Sequence, residues 1–191
     1  RALALLGVDG VRTAANSLRH WPGPMTEEAA GTMARLMNVV RLCGHAAQAL
    51  RPPGYDPEVV YLVAALQNLG RLLVQYHFPE ESEQIRQLMQ PVPPAQPGGA
   101  EHPGMSEESA AYAVLGVDIE SLGAAVARHW GLGDEVQHMI RRLATGKPVR
   151  TPDSDADMLR IAASAANEAV DAMTRLPAPR VGASIVQVAQ R

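Results

Sequence analysis

Two carboxamides, Gln67 and Asn68, stand side by side inside the most apolar run of the sequence, Val59 to Val74. Paired polar side chains in the middle of a buried helix are where ligand or acid–base chemistry could be housed. A carboxamide, however, carries no negative charge and competes poorly with carboxylate or imidazole for a divalent ion. The pair is therefore either a hydrogen-bonded notch on a core helix or the altered remains of an active site. Arg71 follows four residues after Gln67, which on a continuous helix puts both on one face. With Arg141 and Arg142 it could hold an anionic group, as arginine holds phosphate. The alternative is that Arg71 pairs with an acidic neighbour and fixes the helix.

Other chemistry-bearing residues are sparse. The six histidines lie at positions 20, 45, 77, 102, 129 and 138, and no pair has the His-x-x-x-His spacing of a helical zinc site. His45 lies two residues from Cys43, but residues two apart on a helix point in different directions, which argues against a nucleophile pair. Neither a Ser-His-Asp arrangement nor a glycine-rich phosphate loop is present.

The elements that must position these residues read as helices. Of the 191 residues 47% are hydrophobic but only 4% aromatic, so the core is expected to be Leu, Ala, Val and Met. That mixture favours packed helices over strands. Net charge is −3 and the pI near 6.1, which gives no general electrostatic footprint for nucleic acid. One cysteine excludes an intrachain disulfide, and no apolar stretch approaches the roughly 20 residues of a membrane span. The chain opens on Arg1 inside a helical pattern, as a fragment of a longer protein would.

Thr26, Asp56 and Ser106 are expected N-caps, the second with Pro57 in the first helical position. The patterns predict helices to Leu50, through the whole of 59–74, over 80–90, up to Leu115, from Ile119 to His129, over 136–143 and from Met158 to Arg175. Gly116 and Asp118 read as a C-terminal glycine and the next N-cap. Residues 91–104 hold five prolines and three glycines and are expected to form an exposed, mobile loop within one domain. Pro177 and Pro179 are expected to end the last long helix, leaving 177–191 as a tail with one helical turn near Ile185.

Two segments taken together carry a resemblance. Ala64-Ala65-Leu66-Gln67-Asn68-Leu69-Gly70-Arg71-Leu72 is followed by Leu115-Gly116-Val117-Asp118-Ile119, then Gly123 and Trp130-Gly131-Leu132. This resembles the HDOD family, the HD-related output domain of bacterial signalling proteins, whose members typically read Leu-Leu-His-Asp-Ile-Gly-Arg and later Leu-Gly-x-Asp-His-x-x-x-Gly and Trp-x-Leu-Pro. The resemblance implies an all-α, irregular HD-domain-like helical bundle over 1–176, with an N-terminal helical lobe lying upstream of the sequence. It also implies where ligands would stand. In catalytic HD relatives the His-Asp pair holds a divalent metal that activates water for phosphoester hydrolysis. Here those positions are Gln67 and Asn68, the later histidine is Ile119, a His-His pair corresponds to Leu143-Ala144, and an early helical histidine falls near Asn38.

With each expected ligand replaced, no catalytic residue, metal or other cofactor is expected. The resemblance implies instead a cytoplasmic signal-transduction output or scaffold domain that works through protein–protein contacts. It also implies fusion to an upstream signalling module, while charge and hydropathy argue for neither nucleic acid nor membrane as partner. The alternative is a nucleotide- or phosphate-binding pocket lined by Asn38, Gln67, Asn68 and Arg71, with Ile119 beside it. A residual metal-dependent phosphohydrolase is the third reading.

Overall fold

The computed structural model describes residues 26–92 and 104–190, and these form nine α-helices and no strand. They are α1 (Glu27–Leu50), α2 (Pro57–Leu66), α3 (Leu69–His77), α4 (Pro79–Leu88), α5 (Glu107–Leu115), α6 (Ile119–His129), α7 (Asp134–Met139), α8 (Asp155–Arg175) and α9 (Ala178–Ala189). The all-α helical bundle is thus present. The Pro/Gly-rich segment and the opening 25 residues lie outside the described residues, apart from the segment's ends at 91, 92 and 104.

Local chemistry sets the helix boundaries as expected. Thr26, Asp56 and Ser106 each accept a backbone N–H of the first turn of α1, α2 and α5. Gly116 adopts φ 72° at the end of α5, and Asp118 accepts the Ser121 N–H at 2.7 Å to begin α6.

The helix expected over 136–143 runs from Asp134 only to Met139, and two further helix expectations need correction. The run 59–74 is not one helix but two, broken at Gln67-Asn68. At the break the Asn68 N–H bonds to the Ala65 carbonyl, one residue short of helical register, at 3.0 Å. The Ala64 carbonyl is left to two side-chain amides, Asn68 Nδ2 at 3.0 Å and Asn167 Nδ2 at 3.1 Å. Side-chain donors thus satisfy an acceptor that the backbone ladder would otherwise take. The second correction concerns the tail: 178–189 forms a helix of 12 residues rather than a single turn. Pro179 falls in its first turn, where a missing N–H costs nothing.

Small residues let the helices approach closely. Ala47, Val60, Val63, Ala64, Leu159, Ala162, Ala163 and Ala166 join α1, α2 and α8 in one core cluster. Val74, Ile85, Ala110 and Ala111 join α3, α4 and α5 in a second. Leu69, Ala127 and Ile140 form a third, linking α3, α6 and the end of α7. The crossing of α3 and α6 leaves no room for a side chain at Gly70: an added Cβ would overlap the Ile119 carbonyl. At Gly123 an added Cβ would come within 2.9 Å of the Gly70 nitrogen. The α2–α3 break is therefore held from α6 on one side and from α8 on another.

Candidate functional site

Gln67 and Asn68 are buried and fully engaged. Gln67 Nε2 donates to the Met139 carbonyl at 3.0 Å and to Ser164 Oγ at 3.2 Å. Its Oε1 accepts from Asn167 Nδ2 at 3.0 Å. Asn68 Nδ2 donates to Asn167 Oδ1 at 2.7 Å as well as to Ala64. Its Oδ1 accepts from two guanidiniums, Arg142 Nη2 at 2.6 Å and Arg71 Nη1 at 3.1 Å. A buried amide with all these partners is satisfied, and a buried polar network in that condition is rigid.

Charge surrounds the amides. Arg71, with its side chain 10% exposed, donates from Nε and Nη2 to Glu107 and from Nη1 and Nη2 to Asp171. Arg142 Nη1 reaches Asp171 Oδ2 at 2.8 Å, and Arg175 reaches Glu107 at 3.2 Å. Burial alone would raise the pKa of Asp171, but Arg71, Arg142 and Arg175 more than reverse this and hold it far below the usual carboxylate range. Glu107 is lowered in the same way, with burial opposed by Arg71 and Arg175. For Arg71, burial lowers the pKa, and Glu107 and Asp171 outweigh it so that the net shift is upward. Arg142 goes down, since burial and the like charge of Arg71 outweigh Asp171.

The expected site residues are only partly brought together. Gln67, Asn68 and Arg71 meet, though the break turns Arg71 onto Asn68 rather than Gln67. Asn38 is exposed on α1, and no hydrogen bond joins it to the amide network. Ile119 packs against the second core cluster, meets Gly70 through its carbonyl and lines the groove that runs past Arg71, with no donor atom on its side chain. Leu143 offers only its backbone N–H, donated to Ser164 Oγ at 3.1 Å. Arg142 belongs to the network, whereas Arg141 is exposed. Cys43 is buried and its thiol pushed up to about 11, chiefly by burial, while His45 is exposed and hydrogen-bonded to Gln48. That excludes a reactive Cys–His pair.

Sequence reasoning missed half of the network. Ser164, Asn167, Asp171 and Arg175 all project from α8 into it. Their spacing of three, four and four residues draws one polar stripe down an alanine-rich helix. That stripe was the available signal.

A divalent ion does not suit this donor set. Both amide oxygens are already taken by N–H donors, and those on Asn68 are guanidiniums that repel a cation. Among the described residues no three His, Cys, Asp or Glu side chains converge on a point.

A helix pair broken at a polar dipeptide and clasped by a long later helix makes this an all-α bundle. More narrowly, the chain belongs to the HDOD family, since the HDOD domain model matches residues 1–145. No curated protein and no solved structure matches the chain. No single helix among the described residues is long and apolar enough to cross a membrane.

Proposed function

We propose that this HDOD domain is a non-catalytic signal-transduction output or scaffold domain that acts through protein–protein contacts. The observation that carries the reading is the occupancy of Asn68 Oδ1 by two guanidiniums, at the position where a catalytic relative needs an anionic ligand. A hydrolase needs a bound, activated water at that place, and the two carboxylates of the network, Glu107 and Asp171, are each paired with arginines instead. Fusion to an upstream signalling module and work inside the cell belong to the same proposal.

The test has two arms. Purified protein incubated with generic phosphodiesters and phosphomonoesters in Mn²⁺ or Mg²⁺ is expected to show no turnover above buffer. Turnover that disappears in Asn68→Ala protein would contradict the non-catalytic half. For the contact half, Trp130, 44% exposed, and Tyr112, 67% exposed, are large apolar side chains in solvent. A partner of the intact parent protein that is lost on changing either to alanine, with helicity unchanged, supports the reading. A partner lost only when the domain unfolds counts against it.

One observation favours a second reading, anion binding beside the notch rather than in it. A groove of about 1300 Å³ runs past Arg71 and is lined by Arg35, Arg86, Arg175 and Arg180, with Glu107 its one acid among the described residues. That exceeds the roughly 300–1,000 Å³ of small-ligand pockets, so an extended anionic ligand suits it better than a compact one. A linear polyphosphate or ATP raising the melting temperature of the wild type but not of Arg180→Glu protein would support this reading.

A further inference from the structure

The guanidinium of Arg142 touches three side-chain oxygens from two parts of the fold. Nη2 lies 2.6 Å from Asn68 Oδ1 and 2.9 Å from Asn167 Oδ1, and Nη1 lies 2.8 Å from Asp171 Oδ2. Nε is buried and has no hydrogen-bond partner among the described residues. The residue is therefore held by its two terminal nitrogens, as a cation resting in a seat of oxygens rather than as a fully bonded arginine.

We propose that Arg142 is the pocket's own cation, seated on Asn68, which stands where the likeness to catalytic HD relatives places a metal ligand, and on Asn167 and Asp171, so that the domain keeps one cation-bound state whatever divalent ion is present. The inference rests on the non-catalytic reading for its location. Its charge accounting is local. With Arg142 in place, three guanidiniums (Arg71, Arg142 and Arg175) face two carboxylates (Glu107 and Asp171). Without it, two face two: Asn68 Oδ1 and Asp171 Oδ2 keep Arg71 alone, and Asn167 Oδ1 loses its one guanidinium and keeps the Asn68 amide. A monovalent planar cation then fits the vacated seat, whereas a divalent ion meets Arg71 across Asn68 Oδ1.

The test is chemical rescue. Arg142→Ala protein should melt below the wild type. Guanidinium chloride in the tens of millimolar, well below denaturing levels, should then raise its midpoint by about 2–4 °C with saturation. Sodium chloride at equal ionic strength should not, and the wild type should show no gain from guanidinium, Mn²⁺ or EDTA. Arg142→Lys should fold with a midpoint between the two, because an ammonium cannot span the seat as a planar fork does. A merely structural role predicts the loss in Arg142→Ala but no selective rescue.

The proposal is overturned if folded Arg142→Ala protein gains nothing from guanidinium beyond the salt effect, or if Arg142→Met is as stable as the wild type. If Arg142→Ala protein cannot be folded even with guanidinium, Arg142→Lys decides: a folded protein with a midpoint below the wild type supports the seat and wild-type stability overturns it. Phosphoester turnover by the wild type would sink the non-catalytic reading while leaving rescue to be observed. Failed rescue would sink this inference alone.

Discussion

Arg71 is the side chain on which most of the network's charge converges, and its loss should be felt accordingly. Arg71→Ala leaves Glu107 and Asp171 short of their main partner in a buried place, a change that costs about 3–5 kcal/mol. Chemical denaturation should show it as a lowered midpoint with an unchanged slope. The same pairs set the response to acid. Glu107 and Asp171 sit below their ordinary values of 4.5 and 3.8 in the folded state. A carboxylate with a depressed folded pKa contributes its stability above the unfolded value and loses it as pH falls through the folded one. Their contribution should therefore be complete at neutral pH and drain away below the ordinary carboxylate range. Thermal melts across that range should show a shallower decline in Asp171→Asn protein than in the wild type.

At the scale of the elements, the α3–α6 crossing is the closest contact and the most sensitive to bulk. Gly70→Ala would drive a methyl group into the Ile119 carbonyl, which is backbone and cannot swing aside. Overpacking of this kind costs about 1–3 kcal/mol or more, and circular dichroism melts of Gly70→Ala should show it. Much of the element layout was legible because caps and breakers are local: Thr26, Asp56, Ser106 and Gly116 each do what their side chains and backbone preferences dictate. The α2–α3 break was not legible, because the local Asn68 amide is only half of its cause and the other half is remote. Asn167, on α8, supplies an amide to Ala64 from 103 residues away. Pro177 and Pro179 misled in the other direction, since proline stops a helix from the interior but starts one from its first turn. The polar stripe of α8 was visible as spacing, but its meaning depends on Arg71 and Arg142 lying opposite.

For the whole molecule, the family match and the fold do not end at the same place. The HDOD match stops at residue 145, yet Ser164, Asn167, Asp171 and Arg175 lie beyond it on α8 and complete the network around Gln67, Asn68 and Arg71. A chain ending at residue 145 should show no cooperative thermal transition, whereas one ending at 176 should melt cooperatively. No residue of α9 is buried, so the second truncation should lower the midpoint only modestly. The central claim is the proposal that Asn68, where the likeness to catalytic HD relatives places a metal ligand, is occupied from within by guanidiniums. Titration of purified wild-type protein with Mn²⁺, followed by the free-ion electron paramagnetic resonance signal, tests it most directly. The expected result is a signal identical to that of Mn²⁺ in buffer. Loss of one equivalent of free ion, restored by Asn68→Ala, would contradict it.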